Sequence, residues 1–213
     1  MEEAKRICIV CNTAEAMKRY NYCSHCYYER HKERFKAKNA RKYYKYKQKL
    51  NETLERIEHM ATAIPRKDLA IKLAWLAGII DGEGSISMTY IKKRKKVSGN
   101  GCYSGIDVRV GIANTNLPLM REVADICTEI IGEKISINES GRKTNGNLTA
   151  YSLNFTSRTR AYPMLKMLLP YLIAKKGQAE IVINYFENRK PFARVKPEEL
   201  EMCEEVKRLN KLS

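Results

Sequence analysis

The apolar positions change rhythm several times along this chain. From 68 to 81, DLAIKLAWLAGIID, they crowd together and wrap most of a helical surface. That pattern predicts a helix buried in the core or against a partner, with Asp68 as its N-cap. Residues 85–92 alternate instead, with Ser85, Ser87 and Thr89 on one side and Ile86, Met88 and Tyr90 on the other. A period of two is that of a strand with one buried face. The cluster KKRKK at 92–96, followed by Ser98-Gly99-Asn100-Gly101, reads as a basic hairpin loop. Its return strand, 102–113, sets Ile106, Val108, Val110 and Ile112 inward and Asp107, Arg109 and Gly111 outward. A helix over 117–131 stops at Gly132. A second hairpin pairs about 134–139 with 148–155 across SGRKTNGN, and helices follow at 158–169, 174–188 and 197–211. The order implies an α+β fold in which helices cover one face of an antiparallel sheet and leave a polar, basic face available.

Before residue 61 the chemistry differs. Cys8, Cys11, Cys23 and Cys26 form two CxxC pairs, each able to turn two thiolates toward one ion. Together they make the tetrahedral four-sulfur set that suits a structural Zn2+. Four separate buried cysteines, or two disulfides, are the other readings of the same spacing. Residues 1–30 are too few to build an apolar core, so the ion would supply their folding energy. From Tyr27 to Lys49 there are ten Lys/Arg against two Glu, with tyrosines between them and neither Gly nor Pro. This is helix-forming composition with only a ragged apolar stripe through Phe35, Leu50, Leu54 and Ile57. It is either a solvated connecting helix or a basic arm along nucleic acid, whose phosphates such charge density fits. Ala61–Arg66, containing Ile64-Pro65, is the linker candidate, because proline disfavours helix at the residue before it. The expected domains are a zinc-binding module over 1–30, a basic arm and linker over 31–66, and the α+β domain over 67–213.

Composition narrows the function classes. Lys+Arg minus Asp+Glu is 40 − 24 = +16 over 213 residues, and residues 61–213 alone still hold +9, so the basicity runs the length of the chain. A polyanionic partner is the first expectation. MEEAKRICIVC lacks a basic-then-apolar secretory signal, and no apolar run reaches membrane-spanning length. The expected location is therefore intracellular, with no membrane partner. Seven cysteines in that setting read as thiols or metal ligands.

The strongest motif closes the first core helix. Asp81-Gly82-Glu83-Gly84 leaves two carboxylates at a helix C-terminus, where the helix dipole disfavours them unless a cation is near. Hard oxygen ligands of this kind suit magnesium. Leu76-Ala77-Gly78-Ile79-Ile80-Asp81-Gly82-Glu83-Gly84 resembles the LAGLIDADG motif of homing endonucleases, and the elements across 68–190 follow that fold's order. The resemblance implies an αββαββα core with a saddle-shaped sheet in the DNA major groove. It also implies a homodimer, because only one motif is present, with the two motif helices packed through Ala74, Ala77 and Gly78 and Asp81 at the seam. Glu83 occupies the family's metal-ligand position and the Gly82 carbonyl would join it. Asn114, at the end of the second strand, matches a residue that orients the attacking water. A strand-terminal turn is its other reading. Lys175 matches a basic position beside the scissile phosphate, and a plain phosphate contact or a solvated charge is its other reading. The family's further arginine has no counterpart, since Pro118 falls near that place.

Base reading would fall to Ser85, Ser87, Thr89, Asp107, Arg109, Ser136, Asn138, Ser152 and Asn154, with Lys93, Lys95, Arg142 and Lys143 on phosphates. The implied activity is a Mg2+-dependent, staggered double-strand break in double-stranded DNA. The alternatives are a maturase binding intron RNA and a regulator that binds without cutting.

Overall fold

The computed structural model describes residues 7–13, 15–17, 21–63, 66–95, 102–139, 149–190 and 193–212. It divides into two compact units, Met1–Gln48 and Lys49–Ser213. In the first, a bridge joins Ile7 to Glu15 and a short helix α1, Ser24–Arg30, follows. Cys23 caps α1 through its sulfur, which accepts from Cys26 N. The helix ends at His31, whose backbone N–H bonds to the carbonyls of Tyr27 and Tyr28. Helix α2, Lys32–Ala63, begins in this unit. Its residues from Lys49 onward belong to the second unit, where Leu50 and Thr53 are buried. There Lys49 pairs with Glu133 at 2.7 Å. Among the described residues of α2, Leu50 and Thr53 are the buried ones, which is why its apolar stripe is ragged. Ile64 and Pro65 lie outside the described residues.

The second unit is α+β. Helix α3, Arg66–Glu83, leads into β1, Gly84–Lys95, and β2, Cys102–Asn114. Then come α4, Leu117–Ile131; β3, Asn138–Glu139; β4, Tyr151–Phe155; α5, Arg158–Leu168; α6, Lys176–Asn188; and α7, Pro197–Leu209. The four strands form one antiparallel sheet in the order β1-β2-β4-β3. Ile86, Met88, Val108, Val110, Ile112, Leu153 and Phe155 bury one face together with apolar residues of α3 to α7. At about 25 cal/mol per Å2 of apolar surface, this cluster is the main stabilising contribution of the domain.

Some sequence expectations shift. Asp68 lies in the first turn of α3, not at its cap, where its charge still suits the positive end of the helix. The helix also runs on through Gly82 and Glu83, and the chain turns out at Gly84. A Cβ on Gly84 would sit 2.6 Å from the Ile80 carbonyl oxygen, so only glycine permits strand and helix to meet so closely. The second hairpin is shorter than expected. Among the described residues of 134–139 only Asn138 and Glu139 pair with β4, because the Ile135 backbone N–H is taken by the Thr128 hydroxyl. Helix α4 stops where expected, at Gly132 in the left-handed region with φ 72°.

Candidate nucleic-acid interface and metal centres

Leu69, Leu73, Leu76, Ala77 and Ile80 form the inward stripe of α3, and its last turn delivers the motif. Asp81, half-buried, spends its carboxylate on the chain itself. Oδ2 accepts from Ile173 N at 2.7 Å and Oδ1 from Lys175 N at 2.9 Å. The buried Lys175 ammonium donates back to the Asp81 carbonyl oxygen. An ammonium on the last carbonyls of a helix offsets the negative end of the dipole. The cation inferred from Asp81 at a helix end is thus partly supplied by the protein. Glu83 and Gly82 are exposed, and Glu83 forms no ion pair among the described residues.

Asn114 ends β2, two residues beyond Ile112, the partner of Gly84 in the sheet. The register therefore sets Asn114 at the same sheet end as the tip of α3. Its Oδ1 accepts from Asn116 N at 2.8 Å, which is the turn role. Beside this end the open sheet face forms a grid. Ser85 lies opposite Gly111, Ser87 opposite Arg109 and Thr89 opposite Asp107. Gly111 in turn pairs with Asn154, and Ser152 with both Ala113 and Asn138. Arg109 and Asp107 approach within 3.8 Å. A Cβ at Gly111 would stand 3.1 Å from Asn154 Oδ1 and 3.2 Å from Ser85 Oγ, so this glycine keeps a trough between two hydrogen-bonding side chains. Ser85, Thr89, Arg109, Ser136, Asn138 and Asn154 are exposed, and Ser87, Asp107 and Ser152 half-buried. The side chains of Lys93 and Lys95, and all of Arg142 and Lys143, lie outside the described residues.

The small-residue face needs one correction. Ala77 has no exposed surface, because it belongs to the inward stripe of α3 and packs in the chain's own core. Ala74 and Gly78 are exposed, and two residues passed over in the sequence join them: Ile71, 58% exposed, and Trp75, 38% exposed. Positions 71, 74, 75 and 78 share one helical face. That spacing was the available signal. It was hidden because the apolar residues of this helix encircle it.

The four cysteines come together. Their sulfurs all lie within 4.8 Å of one another, with Cys11 and Cys23 Sγ 3.8 Å apart. A tetrahedral Zn–S bond of about 2.3 Å requires sulfurs about 3.8 Å apart. Asn12, at φ 55°, closes the first pair in the left-handed conformation, and its N–H bonds to the Cys8 carbonyl at 3.0 Å. The backbone N–H of Cys11 holds the Cys8 thiol below its ordinary pKa. The Cys26 thiol is pushed up to about 12, first by its hydrogen bond with Cys23. Four sulfurs this close ionise together only around a cation, so the donor set fits a metal ion.

No protein-family model matches the chain, and no curated protein does. Among solved structures it is similar to the homing endonuclease I-CvuI in complex with its target, at 22% identity and TM-score 0.48, over 68% of this chain and 85% of that one. It is also similar to the LAGLIDADG meganuclease I-AabMI bound to uncleaved DNA, at 16% identity and TM-score 0.46, over 63% of this chain and 43% of that one. An archaeal intron-encoded homing endonuclease complexed with DNA matches at 16% identity and TM-score 0.39, over 67% of this chain and 98% of that one. The solved structures that the chain resembles are LAGLIDADG homing endonucleases. Among the described residues, no helix is long and apolar enough to cross a membrane.

Proposed function

We propose that this chain is a sequence-specific DNA endonuclease of the LAGLIDADG type, acting on double-stranded DNA as a homodimer with Mg2+. The observation that carries this is the exposed Glu83 carboxylate at the tip of α3, two residues after the Asp81 that Lys175 clamps and next to Gly84, where β1 enters the polar-faced sheet. A strand-rich face of Ser, Thr, Asn and Arg offers the donors and acceptors that base edges in the major groove distinguish. Asp81 is engaged within the chain, so Glu83 and the Gly82 carbonyl are the oxygen ligands left at the tip. Pairing two tips through Ile71, Ala74, Trp75 and Gly78 would bring a second Glu83 to the same place. Two carboxylates and backbone oxygens fit a hard divalent cation, which would activate a water and offset charge on the phosphate. Lys175 stabilises the developing negative charge while anchored to the helix end. Asn114, fixed by its turn, orients the water.

The test is cleavage of a randomised duplex library with and without Mg2+, beside Glu83→Gln. Glu83 is exposed, so the variant should fold and bind as before and lose cutting by about 100-fold or more. Equal cutting by this variant removes Glu83 from the mechanism. No cutting by the wild type, with tight binding of a structured intron RNA, turns the assignment to a maturase.

A further inference from the structure

Two kinds of side chain share one face of the N-terminal helices. Tyr27, His31 and Phe35 follow at four-residue steps, and Arg34, Lys38 and Arg41 run beside them. Together they line a groove of about 710 Å3, a volume within the range of ligand sites. Its wall is aromatic. The Tyr27 and His31 rings lie 4.5 Å apart, Phe35 meets Tyr27 edge-on at 6.2 Å, and Tyr28 stacks on Phe35 at 5.7 Å. Tyr27, His31 and Phe35 are half-buried, so each keeps a surface toward the groove.

The rim is positive. Lys32 and Lys36 are paired with Glu29 and Glu33 at 3.1 and 2.7 Å. Arg34, Lys38 and Arg41 are exposed and form no ion pair among the described residues. Like charges at three- and four-residue spacing repel one another along a helix. A bound polyanion relieves that repulsion, and the rings beside it favour a flat apolar partner.

We propose that this groove binds single-stranded nucleic acid, stacking an unpaired base on its aromatic wall while Arg34, Lys38 and Arg41 hold the flanking phosphates. Rings interleaved with cations form the stacking platform and charged track on which such strands bind. A duplex, whose bases are already stacked, offers the rings only its backbone. Arg34 to Arg41 spans about 10 Å of helix, a length over which neighbouring phosphates recur. The inference is separate from the cleavage reading, since every residue involved lies in Met1–Gln48.

The experiment titrates the full chain, with its metal bound, into labelled oligothymidine of about 15 nucleotides and into a duplex of equal length. The wild type should prefer the single strand. Replacing Arg34, Lys38 and Arg41 together by Gln should weaken that binding at least 10-fold and reduce the salt slope by about 2, from about 0.7 per phosphate contact. Phe35→Leu, which keeps bulk but removes the ring, should weaken it about 5-fold or more. The control pair Lys32→Gln and Lys36→Gln should change it little. Unaltered binding by the triple variant, or a preference for duplex, overturns the proposal. Glu83→Gln should bind the oligonucleotide normally, so failure of the groove and failure of the nuclease reading give different results.

Discussion

Asp81 and Lys175, 94 residues apart, are joined twice: the Asp81 carboxylate takes the Lys175 backbone N–H, and the Lys175 ammonium takes the Asp81 carbonyl. One clamp ties the end of α3 to the start of α6 and fixes where the amine stands. Asp81→Ala leaves the N–H groups of Ile173 and Lys175 without their acceptor. It should cost about 2–3 kcal/mol in urea unfolding. Lys175→Met should cost about 1–2 kcal/mol but lower single-turnover cleavage by about 100-fold. A folded Asp81→Ala protein that loses as much cleavage as Lys175→Met would show that the two residues act as one catalytic unit.

Much of the second unit was legible because its strands alternate. The period of two separates Ile86, Met88, Val108 and Val110 from Ser85, Ser87, Asp107 and Arg109, and the sheet keeps that division. Alternation needs no partner to be read. The clamp depends on contacts across 94 residues, and no local pattern announces them. The same limit explains Ala77. A helix apolar all round does not say which side meets its own core, and the core decided it. Near 134–137 the strand signal was overruled by a single side chain, the Thr128 hydroxyl. The cysteine cluster was legible from spacing alone, since the CxxC pairs carry their own geometry.

Trp75 is the only tryptophan of the chain and is 38% exposed on the free face of α3. If two copies pack through that face, its emission should shift to the blue as protein concentration rises through the dimerisation range. Trp75→Glu places an unpaired charge in the seam and should give a monomer in sedimentation, with cleavage lost and the domain still folded. A concentration-independent spectrum from a sedimenting monomer would sink the dimer.

Acid should loosen the contact between α2 and the segment after α4. Glu133 meets Lys49 at 2.7 Å and Arg160 at 2.9 Å. Its carboxyl is held below 4.5, first by the Lys49 hydrogen bond and then by that of Arg160. A depressed folded value means that its stabilisation is complete above the unfolded value and is lost as pH falls through the folded one. The group is partly solvated, so the contribution should be under about 1 kcal/mol. Glu133→Gln should therefore be less stable than wild type at pH 7 by that amount. The difference should fade as pH falls below 4.5. An undiminished difference at pH 3 would remove the ion pairs as its cause.

Metal removal should act on the first unit alone. Among its described residues only Cys8 and Cys23 are buried, so no fully buried apolar core holds it together. A cation held by the four sulfurs would then supply the energy that orders the described residues around them, since binding energy of that kind is folding energy. A chelator, or Cys8→Ser, should release one Zn2+ per chain, reduce the far-ultraviolet helical signal and expose Arg30 and Lys32 to trypsin. The main unfolding transition of Lys49–Ser213, whose core is elsewhere, should stay within about 0.5 kcal/mol of the untreated protein. Trypsin resistance unchanged after the metal is gone would mean that the sulfurs pack without needing an ion. A matching fall in the main transition would mean that the two units unfold as one.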